Sequence, residues 1–155
     1  MASLREMTPD EVTNLLPRIM DGYVEERVGA GQDVESARAT ANEQHAILFP
    51  DGRAAEGQHL MHVLDGDNVV GLLWMGRPMS AIASTWFVYY VEVNPDQRGR
   101  GYGRAAMELA ESWTREHGGT RVALNVFGPN LVARSLYDAL GYEVMATTMF
   151  KEVGD

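Results

Sequence analysis

The sequence predicts an α+β fold: one mixed, mostly antiparallel sheet of about six to seven strands with about four helices around it. Three observations lead there. The first fifty residues carry helical periodicity, residues 59–93 switch to β-prone runs joined by turn signals, and strand and helix patterns alternate twice after Val93. Hairpins make antiparallel pairs, whereas a strand followed by a helix and a second strand makes a parallel crossover.

Residues 4–7 can form a short first strand. Thr8 then caps a helix, Pro9 takes its first position and Glu11 completes a capping box. Val12, Leu15, Leu16, Ile19, Met20 and Tyr23 follow at helical spacing, and Pro17 inside that pattern should kink or split the helix. A second helix runs from Asp33 to about Leu48, with Val34, Ala37, Ala41, His45 and Leu48 on one side and a Pro-Asp-Gly stop after it. Residues 59–64 and 69–75 are strands joined by the Asp65-Gly66-Asp67-Asn68 hairpin turn. Residues 77–84 read as a loop, and residues 85–93 are the most β-prone run of the chain. In the next helix Ala106, Leu109, Ala110 and Trp113 form an apolar stripe, with Glu108, Glu111, Arg115 and Glu116 outside it. Residues 121–127 give another strand. Asn130 caps a helix whose buried side is Leu131, Ser135, Leu136 and Leu140, with Ala133 and Tyr137 adjacent. Residues 142–145 and 147–151 can form a final pair of strands, which could also build an interface with a second copy in a homodimer.

The 155 residues read as a single domain over 1–155, with no repeat or linker to divide it. A net charge of −9 argues against a nucleic-acid binder, which needs a basic footprint, and is compatible with a cationic acceptor such as an amine. Excess acid also serves solubility alone. No apolar run approaches the roughly 20 residues that span a bilayer, so no membrane partner is expected. The N-terminal residues lack the apolar core of a signal peptide, and without cysteine there is neither disulfide nor thiolate chemistry, which makes the cytoplasm the expected location. His45, His59, His62 and His117 have no metal-ligand spacing, and His59 and His62 fall on opposite faces of a strand, so no metal is expected.

The chemistry concentrates where the strand ending at Val93 meets the next helix. Gly99, Gly101 and Gly103 alternate there with Arg98, Arg100, Tyr102 and Arg104. Helix-start amides have no internal acceptor and carry the positive end of the helix dipole. Glycines keep side chains out of the way, and arginines add cationic donors, so the stretch reads as a pyrophosphate cradle. A Walker loop fails because Arg104 and Ala105 stand where a lysine and a hydroxyl residue belong. A dinucleotide fingerprint finds its loose form at Gly101 but no ribose-binding acid on the following strand.

A third reading covers more of the chain. Arg98-Gly-Arg-Gly101-Tyr-Gly103 matches Arg/Gln-x-x-Gly-x-Gly/Ala, and Asn130, Ala133, Leu136-Tyr137 and Gly141-Tyr142 follow in order after a strand. The two stretches resemble the coenzyme A motifs of the GNAT superfamily of N-acetyltransferases. That resemblance implies a sheet with a splayed strand pair forming an acyl-CoA cleft, and acetyl-CoA as cosubstrate. It implies an acetyl group transferred to a primary amine, on a small molecule or a peptide, by direct attack on the thioester. Main-chain groups of Val91, Glu92 and Val93 would then pair with the pantetheine arm and oppose the developing oxyanion. Arg98, Gly99, Arg100, Gly101, Tyr102, Gly103 and Arg104 would hold the pyrophosphate. Asn130 and Ala133 would contact the coenzyme, and Tyr137 would also be the general acid that protonates the departing thiolate.

An ammonium must lose a proton before it attacks, so the reaction needs a base. Glu92 is the only carboxylate on its strand, although strict alternation turns it away from Val91 and Val93 unless a bulge re-aims it. Glu25 and Glu26 on the first helix, or a water relay, are the alternatives. Trp74, Trp86 and Phe87 read as core, whereas Tyr23 and Tyr89 could line an acceptor pocket. Two rival functions remain: an acyl-CoA sensor without turnover, and a nucleotide-binding domain that uses the glycine loop for NAD or ATP.

Overall fold

The computed structural model describes residues 1–78 and 84–154. Most of the loop expected over residues 77–84 lies outside those residues. Five strands form one sheet in the order of the chain: β1 (Ala2–Glu6), β2 (Gln58–Asp65), β3 (Asn68–Gly76), β4 (Thr85–Val93) and β5 (Arg121–Leu124). The first three pairings are antiparallel, and β4–β5 is parallel. The β2–β3 hairpin turns on Gly66, whose φ of 60° suits the first position of a two-residue turn.

Helix α1 (Pro9–Gly29) starts on the expected capping box: the Thr8 side chain accepts from the Glu11 amide, and the Glu11 carboxylate accepts from the Thr8 amide. Pro17 does not split it. The proline deletes a single helical hydrogen bond, while Leu16 and Ile19 beside it are buried and carry the helix through. Helix α2 (Val34–Leu48) is capped by Asp33 and packs Ala37 and Ala41 against Val24 of α1. Val34, expected on the buried side, is exposed because it lies in the first turn, ahead of that contact.

Helix α3 (Tyr102–Glu116) buries Ala106, Met107, Ala110 and Trp113 on the sheet face formed by Met61, Val63, Leu73, Met75, Trp86 and Val88. The opposite face packs Leu60, Leu72, Trp74 and Tyr89 against Val12, Leu16 and Ile19 of α1. Met107 is fully buried, and truncating a side chain so placed typically costs about 2–5 kcal/mol. Helix α4 (Leu131–Ala139) is rotated from the expected face: Leu131 and Ser135 are exposed, and Tyr137 is the buried residue.

Among the described residues the sheet has five strands instead of six to seven, because residues 142–151 form no strand. A β-prone run becomes a strand only when its backbone finds a ladder partner. Here the tail is held by other means. The Arg121 guanidinium reaches the Met145 sulfur at 3.8 Å, and the Phe150 ring lies over Gly31, where an added Cβ would come within 2.5 Å of it. Val144, Met145, Met149 and Phe150 are left exposed.

Candidate active site

The site begins at an irregularity in β4. Trp74 pairs with Tyr90 and the next residue, Met75, pairs with Val88, so Tyr89 is an extra residue on β4, a bulge. A bulge bends its strand and breaks the alternation of faces. Trp86 and Val88 point to the α3 side, whereas Tyr89 and Tyr90 both pack on the α1 side. The shift carries on to Glu92, which now faces α1 and meets Arg18 at 3.3 Å. From Tyr90 to Val93 the alternation is unbroken, so Glu92 still faces away from Val91, which packs on the α3 side.

Pairing between β4 and β5 stops at the same place. The last matched residues are Val88 and Leu124, and residues 125–127, expected as strand, leave the ladder. Beyond that point β4 keeps residues 89–93 with no strand on its β5 side, so a cleft opens between the two chain segments. Gly71 brings β3 tightly against the other edge, since a Cβ there would lie 2.2 Å from the Glu92 carbonyl oxygen.

The glycine loop lies at the end of β4. Gly101 is the N-cap of α3 with φ 84° and gives no side-chain cap, and no acidic residue occupies the first turn. The amides of Tyr102, Gly103 and Arg104 therefore have no helical acceptor, and the dipole there is uncompensated. Gly99 (φ 76°) and Gly101 also adopt the left-handed conformation, with open space where side chains would project. Gly103 needs no special dihedral; it packs toward Leu136 and Val93. Arg98 braces the loop by donating Nε–H to the Val93 carbonyl, and the Tyr102 hydroxyl donates to Asp65 at 2.5 Å. Arg100 and Arg104 are exposed. These groups fit a diphosphate: free amides, the exposed Arg100 and no carboxylate in the first turn, with Arg104 paired to Glu108 at 3.1 Å one turn on.

Helix α4 closes the cleft. Asn130 accepts from the Ala133 amide at 3.2 Å, which fixes the start of the helix. Ala133 packs against the core, and Tyr137 is 8% exposed beside Tyr142. Burial first, and the Glu26 carboxylate second, push the Tyr137 hydroxyl above its ordinary pKa, so it holds its proton at neutral pH. From the other side comes α1. Its Gly22 leaves room for the Tyr90 hydroxyl, which an added Cβ would meet at 2.2 Å. Arg27 lies over the rings of Tyr23 and Phe127, at 4.8 and 5.9 Å, so the end of α1 bridges to the segment that leaves β5. Burial, and then the neighbouring Glu92, push the Glu26 carboxyl up to about 7 against the opposing influence of Arg27.

Around the parting of β4 and β5 the structure brings Val91, Ala133 and Tyr137 into one packed cluster, with Gly103 toward Val93 and Leu136, whereas the Glu92 side chain faces Arg18 on α1. Tyr23 partly buries there with its hydroxyl bonded to Arg27, whereas Trp74 and Trp86 are core. Tyr89 donates to the Arg77 carbonyl and stacks on Trp74, so it is structural. Sequence reasoning missed Arg18, Gly22 and Tyr90. Their signal was the spacing of Arg18, Gly22 and Glu26, four residues apart and so on one face of α1. A surface cavity of about 370 Å³ opens beside Arg18, His62 and Asn94, on the α1 face and away from Tyr137. Among the described residues no helix is long and apolar enough to cross a membrane.

Known proteins are similar to this chain in sequence and in fold. A family model described as the acetyltransferase (GNAT) family matches residues 17–142. The protein of Bacillus subtilis (strain 168) called uncharacterized N-acetyltransferase YycN is 28% identical over 152 residues, 97% of each chain. Its crystal structure matches with a TM-score of 0.89 at 27% identity over 100% of both chains. A mycothiol acetyltransferase of Beutenbergia cavernae is 36% identical over 122 residues, 72% of this chain and 40% of its own length. The fold is also shared, at TM-score 0.58 and 14% identity, with AAC(6')-Iy, whose structure holds the bisubstrate analogue CoA-S-monomethyl-acetylneamine and is covered over 99% of its length.

Proposed function

Because the chain belongs to the acetyltransferase (GNAT) family, we propose that it transfers an acetyl group from acetyl-CoA to a primary amine by direct attack on the thioester. The observation that carries this reading is the parting of β4 and β5 at Val88 and Leu124 beside the buried Tyr137. A strand edge freed in this way offers main-chain groups to an extended amide-bearing arm, and Val91, Glu92 and Val93 line that edge. The uncapped start of α3 and its arginines suit the diphosphate at the far end. Asn130 fixes the start of α4 by accepting from the Ala133 amide, and Tyr137, one to two turns on and buried with its proton held, supports the reading of a donor to the leaving sulfur. Glu92, the one carboxylate that the sequence offers on β4, is held in an ion pair with Arg18 that would have to open before it could take a proton.

The acceptor side is acidic: Glu26 and Glu92 face it, and the whole chain carries −9. A negative field of this kind favours the approach of a cationic amine, on a small molecule or a peptide. A thiol-release assay with acetyl-CoA against polyamines, amino sugars, amino acids and peptides tests the proposal. Saturable thiol release with at least one amine class, and a matching acetylated product, is expected. Tight acetyl-CoA binding with no release on any amine would overturn it and leave a sensor.

A further inference from the structure

Arg18, Gly22 and Glu26 recur every four residues and form one stripe on α1. The first meets Glu92 and the second meets the hydroxyl of Tyr90. Four helical residues rise about 6 Å and two strand residues about 6.6 Å, so stripe and strand keep step as they run in opposite directions. Glu26 therefore lies one step beyond Tyr90, at the level where β5 leaves β4. Arg27, the next residue, reaches across to Phe127 and pins that end of the helix over the mouth of the cleft. The Glu26 carboxylate makes no hydrogen bond or ion pair with any described residue, in contrast to that of Glu92, which meets Arg18.

From this placement we propose that Glu26 is the general base of the acetyl transfer, and that Glu92 with Arg18 positions the helix and strand that hold it. The assignment rests on the N-acetyltransferase reading above. The acceptor ammonium gives one proton to the Glu26 carboxylate, and its nitrogen lone pair then forms the bond to the acyl carbon as the carbon–sulfur bond breaks. The departing sulfur takes the Tyr137 hydroxyl proton, and the second amine proton restores that hydroxyl. Glu26 later releases its proton to water. The balance is one ammonium and one thioester in, and one amide, one thiol and one proton out.

A base works best when its pKa lies near the working pH. The carboxyl of Glu26 is held near 7 by burial and by Glu92 on β4, against Arg27 on its own helix. The Tyr90 hydroxyl on β4 and the Tyr137 hydroxyl on α4 also face it, and both feel its charge. Glu25 precedes it on an exposed position of the helix.

The test compares Glu26→Gln with Glu92→Gln in the full-length protein, using an amine that the thiol-release assay has shown to be accepted. Glu26→Gln should lower kcat/KM by about 10²–10⁴-fold at pH 8 and abolish the acidic limb of its pH profile near 7, with acetyl-CoA binding by calorimetry unchanged. Glu92→Gln should keep the limb but move it to lower pH, because one of the two influences that raise Glu26 is gone. Carbon-13 NMR of the glutamate carboxyls gives a readout independent of turnover: one resonance should titrate near pH 7 in wild type and be missing in Glu26→Gln. Retention of the limb in Glu26→Gln, or its loss in Glu92→Gln, overturns the assignment and leaves the acetyl transfer standing. A wild type that turns over no amine instead defeats the functional reading on which the assignment depends.

Discussion

The glycine loop between β4 and α3 presents main-chain groups, whereas α1 presents side chains. In the loop, Gly99 and Gly101 take left-handed dihedrals and leave space empty, and the α3 amides stay uncapped. On α1 the start is fully capped by Thr8 and Glu11, the middle pairs Arg18 with Glu92, and the far end carries Glu26 and Arg27, the latter over Phe127. Glu11 also meets Arg5 at 3.1 Å and His62 at 2.8 Å, which ties α1 to β1 and β2. On the proposed reading, one region binds by what it lacks, and the other acts through groups whose positions depend on the packing of a long helix. Substitutions should therefore fail differently in the two regions.

The largest expected effect falls where the two regions meet. Tyr137→Phe should lower turnover by about 10²–10⁴-fold while acetyl-CoA affinity stays close to wild type, because only the proton donor is lost. Turnover that is unchanged across the pH range would take Tyr137 out of the acid role. The ring itself stays, so its packing against Tyr142 should survive and the melting temperature should hardly move.

Next in size is Gly71→Ala, which acts on stability and on the α1 side together. Its Cβ would lie 2.2 Å from the Glu92 carbonyl oxygen, a backbone atom that can yield only by shifting β4. Overpacking of this kind costs about 1–3 kcal/mol, readable by urea denaturation. A variant as stable as wild type would show that β4 is free to move at this point, and that its bulge does not fix the direction of Glu92.

Gly101→Ala should cost less and act on the coenzyme side. Its surroundings are open, so the penalty comes from φ 84° alone, about 1–2 kcal/mol. Acetyl-CoA affinity should weaken if the loop straightens to relieve that strain. Gly103→Ala is the control: the nearest atoms would lie at an ordinary 3.6 and 3.9 Å, and the dihedral is unexceptional, so affinity and stability should stay near wild type. Equal losses in both variants would mean that the cradle reads size and not backbone conformation.

The same contrast explains what the sequence could and could not convey. Glycines, caps and turn residues act within a few positions of the chain, so the capping box at Thr8, the hairpin at Gly66 and the glycine loop were legible as local pattern. The site around α4 was legible through Asn130 and Tyr137, although helix periodicity placed the buried face on Leu131 and Ser135. The tail over residues 142–151 has strand propensity, but propensity does not supply the neighbouring edge a strand requires. The bulge at Tyr89 is likewise silent in the sequence, because two tyrosines in a row fit a regular strand as well as a bulged one. The direction of Tyr90 and Glu92 depends on that one extra residue: without it, both would point toward α3.

The smallest expected effect is the most direct probe of the α1 side. Burial and Glu92 raise the folded Glu26 carboxyl from its ordinary 4.5 to about 7. Between those values the folded chain holds a proton that the unfolded chain has released, so wild-type stability falls as pH rises through this window. Gln carries no such charge. Glu26→Gln should therefore match wild type at pH 4, gain on it from pH 4.5 to 7 and keep a constant advantage above pH 7. A shift of that size in a sealed site would be worth about 3 kcal/mol. Glu26 keeps part of its surface in water, and screening there should cut the gain to about 1 kcal/mol. Thermal melts of both proteins at pH 4, 6 and 8 measure it. A difference that stays flat with pH would mean that α1 leaves Glu26 fully solvated, and that the helix, unlike the glycine loop, does not shape its own chemistry.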